Sequence, residues 1–315
     1  MRAWRTRDDM APANEPEDPV TATRPRIGFV GLGHVGEALA VAFHRAGWPV
    51  EAGASRSPAR RSAFEQLVPG ATTADTPAAL LDLIDILFVT VPDDAIDGVV
   101  SGLRLYSGQG IVHTSGFLAS TVLEPALAAG SAAASFHPLV AFADRDRAVA
   151  DLVGASVALE GDEQLVGVLA GLAEDVGAKP IRIPTGGKPG YHIAAVLAAG
   201  GLIGLLETLA TAARTAGLDE PGALGVYAPL LRQALGNAET LGLERAMTGP
   251  VARGDAGTIA AHLAFLADAA PAALDAYVAL SEAQLTVAER RGGLDPETLA
   301  RVRALLANAP RSGSM

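Results

Sequence analysis

The chain contains no cysteine, which removes disulfides, thiolate nucleophiles and thiolate metal ligands together. Aromatic residues make up only 4% of the 315, so a core built mainly from Ala, Leu, Val and Ile is expected. Positive charge is also short: 24 Lys and Arg stand against 35 Asp and Glu, a formal net charge of −11. Nucleic acid and anionic membrane are therefore not expected as partners, because both need a positive footprint. A small anionic ligand remains possible where cations gather locally. The longest apolar run, Ile193 to Leu206, is shorter than the ~20 residues of a membrane-spanning helix and reads as a buried helix. Residues 1–24 carry no apolar run of the kind found in a secretory signal and are expected to form a disordered tail. Together these absences predict a soluble, cytoplasmic protein with no metal site.

What is present is a hydrophobic half, 50% of the residues, enough for two domains. From Arg26 onward, short β-rich runs alternate with Ala/Leu-rich helical runs. Strands are expected at Arg26–Val30, Pro49–Ala54, Ile84–Val91, Gly110–Thr114, Ala132–His137, Ala155–Leu159 and Lys179–Ile183. A helix is expected from His34 to Arg45. Ser57-Pro58 opens another, with a capping hydroxyl and a proline at the first helical position, and Asp94 is expected to cap a third. The continuous apolar run at Ile84–Val91 suits a strand covered by helices on both faces. The alternation predicts an α/β fold, a doubly wound and mostly parallel sheet over residues 25–185. After Gly186-Gly187 only helical stretches remain, so residues 186–310 are expected to form an all-helical domain. No internal repeat is visible.

Gly31-Leu32-Gly33-His34-Val35-Gly36 is a G-x-G-x-x-G set placed between the first strand and the first helix. In that context it predicts a dinucleotide-binding loop. Gly31 makes the tight turn, Gly33 admits the pyrophosphate and Gly36 packs helix on strand. The helix N-terminus offers its free N–H groups to the phosphates. The second strand does not end in the acid that would bind a ribose 2′-hydroxyl. It runs into Ser55-Arg56-Ser57, whose guanidinium between two hydroxyls suits a 2′-phosphate. NADPH is therefore the expected cofactor, with Arg56 as phosphate ligand in preference to a merely solvated loop residue. Arg60 and Arg61 add local positive charge. Glu51 is a rival acid, but mid-strand it is poorly placed for the ribose.

Ligands of such sheets bind beyond the carboxyl ends of the strands. Thr90, Val91 and Pro92 lie there and are expected beside the cofactor ribose. His113, Ser115 and His137 follow at the next strand ends, towards the nicotinamide; for each histidine a structural hydrogen bond to the backbone reads equally well. Lys188, Tyr191 and His192 are spaced to share one helix face. Lys188 is the candidate acid, its basicity lowered by desolvation, with His192, His137 and Ser115 as further catalytic candidates. Arg253, in the rigid segment Thr248–Asp255, is the candidate ligand for a substrate carboxylate, with His113 beside it. Asp255 reads equally well as a helix cap.

The segments G-L-G-H-V-G, H-T-S-G, S-F-H-P, K-P-G-Y-H-I-A-A and T-G-P-V-A-R-G-D resemble those of Rossmann-like proteins bearing a C-terminal domain of unknown function numbered 2520. The resemblance covers residues 26–310. That family is similar to pyrroline-5-carboxylate reductases and to the 6-phosphogluconate-dehydrogenase-like group, and some members act as ketopantoate reductases. The resemblance implies NADPH, a helical domain that forms a homodimer, and Lys188 near the substrate. In the family pattern an Asn follows the Y-H-x-A-A segment, whereas here Val196 to Gly201 carries no amide. The expected function is NADPH-dependent reduction of a small anionic 2-oxo acid, ketopantoate first. Reduction of a cyclic imine and a catalytically silent NADP-binding sensor or scaffold stand as alternatives.

Overall fold

A computed structural model describes residues 24–310. Residues 1–23 of the expected tail lie outside the described residues. Arg24, its last member, donates to the Ala46 carbonyl at 2.7 Å, pairs with Asp175 at 2.8 Å and stacks over Trp48.

Two compact units are present, residues 1–196 and 197–315. The first carries eight strands: β1 (Ile27–Val30), β2 (Val50–Ala54), β3 (Thr72–Ala74), β4 (Ile86–Val89), β5 (Gly110–His113), β6 (Ala132–Pro138), β7 (Ser156–Gly161) and β8 (Lys179–Arg182). They form one sheet in the order β3-β2-β1-β4-β5-β6-β7-β8. All neighbours are parallel except β6 and β7, which are antiparallel. The helices of this unit are α1 (His34–Arg45), α2 (Pro58–Leu67), α3 (Ile96–Ser101), α4 (Glu124–Ala128), α5 (Arg145–Asp151), α6 (Glu163–Asp175) and α7 (Lys188–Val196).

The two-residue period of the strands divides the core in two. Ile27, Phe29, Ile86, Phe88 and Phe136 point to one face, against Leu39 and Phe43 of α1, Phe64 of α2 and Leu169 of α6. Val30, Leu87, Val89 and Ile111 point to the other, against Ile96 and Val100 of α3, Ala126 of α4 and Leu80 of the turn before β4. The sheet is thus wound on both sides, as its continuous apolar strands require. Scarcity of aromatics did not make the core purely aliphatic. Phe29, Phe43, Phe88 and Phe136 meet at centroid distances of 5.3–5.9 Å.

Ser57 caps α2 by accepting from the Arg60 N–H, as its sequence predicts. Asp94 caps nothing: Asp93–Ala95 is a single 3-10 turn, and α3 begins without a side-chain cap. Strand β3 is an addition to the expected set, short and at the sheet edge.

The second unit is helical: α8 (Leu202–Arg214), α9 (Glu220–Leu241), α10 (Leu243–Ala246), α11 (Pro250–Arg253), α12 (Ala256–Ala269), α13 (Pro271–Arg291) and α14 (Pro296–Ala307). Its core gathers Val251, Ile259, Leu263, Leu274, Leu285, Val302 and Leu306. Asp219, Asp255 and Asp295 cap α9, α12 and α14 through backbone N–H groups.

The apolar run Ile193–Leu206 is not buried within the chain. Ile193, Leu197 and Ile203 are 58%, 67% and 66% exposed. It belongs to a helical stretch, Lys188–Arg214, of 27 residues. By length and composition this is the one stretch among the described residues able to cross a membrane, which corrects the shorter span read from the sequence.

Candidate active site

The strand order reverses between β1 and β4, and the crevice beyond their carboxyl ends is where ligands of doubly wound sheets bind. The glycine loop lies there. Gly31 has φ +93°, and a Cβ on it would fall 2.6 Å from the Thr90 carbonyl oxygen. On Gly36 a Cβ would fall 2.4 Å from the Gly31 oxygen. Both glycines are therefore required by the fold itself. Gly33 is different: a Cβ there would meet only the end of the flexible Arg60 side chain, at 3.1 Å. Nothing rigid in the protein needs Gly33 bare, and an approaching ligand does. Thr90 braces the loop by donating its hydroxyl to Val30 O and Gly31 O. Gly33 is the N-cap of α1 and supplies no side chain. The first-turn N–H groups of this 12-residue helix are thus left to a phosphate. Leu32 is buried beneath the loop, Val35 is half-buried, and His34 Nδ1 lies 3.3 Å from the Phe142 carbonyl.

At the end of β2, Arg56 is exposed and Ser55 and Ser57 are half-buried. Arg60 donates to Leu32 O at 3.0 Å and Arg61 to Ser55 O at 2.7 Å. Both guanidiniums are engaged in shaping the loop, while Arg56 makes no hydrogen bond among the described residues. Glu51 sits three residues before the end of β2, about 10 Å along the strand.

The second half of the site lies where β5, β6 and α7 meet. Lys188 is 1% exposed, and its ammonium donates to the Ser115 carbonyl at 2.7 Å and to Ser135 Oγ at 2.8 Å. It is thus no solvated lysine at a helix start. Burial pushes its pKa down to about 8, against the opposing pull of the Glu160 and Asp93 carboxylates. Ser115 donates its hydroxyl to Asp93 at 2.7 Å and accepts from the Phe117 and Leu118 N–H groups, so Asp93 fixes the loop that receives the lysine. Asp93, Ser135 and Glu160 were not singled out for this role by sequence. A lone acid inside the apolar run Ser156–Gly161 was the available signal for Glu160.

His113 is fully buried, and its Nδ1 accepts from the Ser115 N–H. Burial first, and the Lys188 charge second, push its pKa down to about 3. His137 is pushed down to about 4 by burial, Lys188 and His192 in that order. His137 Nδ1 lies 2.8 Å from the Tyr191 hydroxyl, whose own pKa burial raises to about 12. His192 Nδ1 is buried without a hydrogen-bond partner. It and His137 Nε2 converge on Gly116, where a Cβ would fall 2.4 and 2.7 Å from them. Lys188, Ser115, His113, His137 and His192 therefore form one cluster. Arg253 lies in the other unit, exposed at the end of α11, and Asp255 is a helix cap that accepts from Thr258.

The buried histidines make the fold sensitive to acid. Unfolded, both titrate near 6.5; folded, they do so only near 3 and 4. Between those values the unfolded chain binds more protons, so stability is complete above pH ~6.5 and is lost as pH falls. The slope approaches ~2.7 kcal/mol per pH unit when both contribute. Urea denaturation at pH 7 and pH 5, where most carboxylates remain ionised, should show a clear fall in midpoint. Equal midpoints would contradict the burial of neutral imidazoles.

The chain matches the Rossmann-like domain model over residues 10–138 and the domain of unknown function DUF2520 over residues 155–284. No curated protein matches the sequence. Among solved structures, a Thermotoga maritima protein is 26% identical, with a TM-score of 0.65, covering 84% of this chain and 98% of its own. An imine reductase from Pseudomonas sp. is 19% identical at TM-score 0.62, covering 89% and 99%. A reductive aminase from Aspergillus terreus, in complex with NADPH and ethyl-5-oxohexanoate, is 18% identical at TM-score 0.56, covering 91% and 94%. At such identities the last two likenesses are of fold.

Proposed function

We propose that this chain, which joins a Rossmann-like domain to a DUF2520 domain, is an NADPH-dependent reductase of a small 2-oxo acid, ketopantoate first among the candidates. The observation that carries the reading is Lys188, a buried ammonium held by two hydrogen bonds at the carboxyl ends of β5 and β6. When bound, the reduced nicotinamide supplies the hydride. The glycine loop and the start of α1 would hold the pyrophosphate, Thr90, Val91 and Pro92 would line the ribose, and Arg56 with Ser55 and Ser57 would take the 2′-phosphate.

Reduction of a ketone builds negative charge on its oxygen, and a fixed ammonium in a dry site lowers that barrier. With a pKa of about 8, Lys188 is mostly charged at pH 7 yet parts readily with its proton, the compromise that general acid catalysis favours. His113 and His137 are neutral at that pH, which leaves the lysine as the acid and the imidazoles as hydrogen-bonding groups. His192, with its unpartnered Nδ1, and Ser115 complete the wall. Arg253 is assigned the substrate carboxylate.

The likeness to an imine reductase fold motivates the second reading, reduction of a cyclic imine. Such a substrate reacts as a cation, and a buried ammonium beside it would repel it. That favours the oxo acid. A silent NADP-binding protein is the third reading. NADPH oxidation measured against 2-oxo acids and cyclic imines separates all three.

We also infer a cytoplasmic homodimer formed through the helical unit, with neither membrane nor nucleic acid as partner. Ile203 of α8 and Val226, Leu230 and Leu235 of α9 are 55–66% exposed, apolar side chains that a second copy would cover. Dimers of this kind close with two-fold symmetry. Light scattering at micromolar concentration should give twice the 32.0 kDa chain mass; a monomer would refute it.

A further inference from the structure

We propose that Ser135 and Glu160 are positioning residues for Lys188: the serine hydroxyl fixes the ammonium, and the carboxylate supplies a buried counter-charge that keeps it protonated. The inference rests on the assignment of Lys188 as the reacting acid. Its basis is a register. β6 and β7 are the one antiparallel pair in the sheet, and within it Ser135 stands directly opposite Glu160. Directly opposed residues project to the same face with Cβ atoms about 5 Å apart. The Ser135 hydroxyl is the one that accepts from Lys188 at 2.8 Å.

Glu160 is the only carboxylate on this strand and is 9% exposed. Both of its oxygens accept hydrogen bonds from Ser120. Oε2 accepts from the Ser120 N–H at 2.7 Å and Oε1 from the Ser120 hydroxyl at 3.0 Å. These bonds lock the acid in place. It acts on Lys188 through its field. A buried acid in a strand otherwise filled by Val157, Ala158 and Leu159 is costly unless a cation nearby offsets it.

Every charged or titratable group facing the ammonium can be placed. Glu160 on β7 and Asp93 beyond β4 favour its charge, Glu160 more strongly. His113 on β5 and His137 on β6 feel the lysine's charge and stay neutral. On α7 itself, Tyr191 is held protonated and His192 faces His137. Without Glu160, Asp93 is the one carboxylate left to oppose desolvation, beside the two hydrogen bonds of the ammonium. The lysine then loses its proton at lower pH, and a larger share of the protein is without its acid at neutral pH.

The chain makes the test direct, because it has only two lysines, Lys179 and Lys188, and Lys179 is exposed. With ¹³C-lysine incorporated into the full chain, each Cε resonance reports one titration. Lys188 should titrate near 8 in the parent. In Glu160→Gln its midpoint should fall by about one unit or more, Lys179 should not move, and Glu160→Asp should recover part of the shift. An unchanged Lys188 midpoint in folded Glu160→Gln overturns the proposal. Should that variant not fold, Ser135→Ala decides: loss of the hydroxyl should also lower the midpoint, and no change overturns the proposal. The titration uses no substrate. Absence of turnover on every oxo acid would therefore count against the reductase reading alone.

Discussion

Replacing Lys188 by alanine should lower turnover of a 2-oxo acid by roughly a hundred- to ten-thousand-fold, the range for losing a positioned acid. The size follows from what the side chain is in this fold. It is the buried cation of the strand-end cluster, and the two nearest imidazoles on β5 and β6 are neutral at pH 7. Neither can take over as an acid of comparable strength. NADPH affinity should barely change, because the glycine loop and Arg56 are shaped by β1, β2 and β4 and not by Lys188. The parent should lose activity as pH rises through about 8, where the folded lysine gives up its proton. The acid form is the active one, so the limb falls on the alkaline side. Arg253→Ala should act differently, raising the Michaelis constant for an anionic substrate with little change in turnover if the carboxylate is held equally in ground and transition states. Steady-state kinetics on ketopantoate and related acids checks both. Normal turnover in Lys188→Ala would move the acid to His137 or His192 and overturn the assignment.

The second large effect concerns the cofactor. NADPH should bind more tightly than NADH, and Arg56→Ala should erase most of the difference. A hydrogen bond from a guanidinium to a phosphate is worth about 1.5–3 kcal/mol, or roughly ten- to a hundred-fold in affinity. Arg56 is the arginine free for that contact, since Arg60 and Arg61 are bound to Leu32 O and Ser55 O. Those two remain in the variant and keep a positive field near the loop, so a remnant of preference should survive and weaken further with added salt. Titration of both cofactors by fluorescence measures this, and equal affinity in the parent protein would sink it.

How much of this was legible in the sequence differs from element to element. Helix α1 could be read to its ends, because a glycine loop starts it and amphipathic spacing carries it. β4 could be read as a buried strand from its unbroken apolar run. β3 could not: Thr72-Thr73-Ala74 is three residues long at a sheet edge and carries no hydrophobic period. The direction of β7 was equally hidden, since a two-residue period is the same whichever way a strand runs. In the site, Lys188 was legible as a candidate from its neighbours along α7. Its desolvation was expected too, but its hydrogen bonds were not legible, because the partners Ser115 and Ser135 lie 73 and 53 residues earlier in the chain. Separation in sequence concealed Asp93 and Glu160 as well. Ile193–Leu206 misled for a related reason: an apolar run says that a surface will be covered, but not that its own chain covers it.

The most direct test of the central claim is transfer of deuteride from C4-deuterated NADPH to a 2-oxo acid, read by mass spectrometry of the product. The parent protein should give the 2-hydroxy acid carrying one deuterium at C2, and Lys188→Ala should give little or none in the same time. Tight NADPH binding with no deuterium in the product of any oxo acid would contradict the reductase assignment.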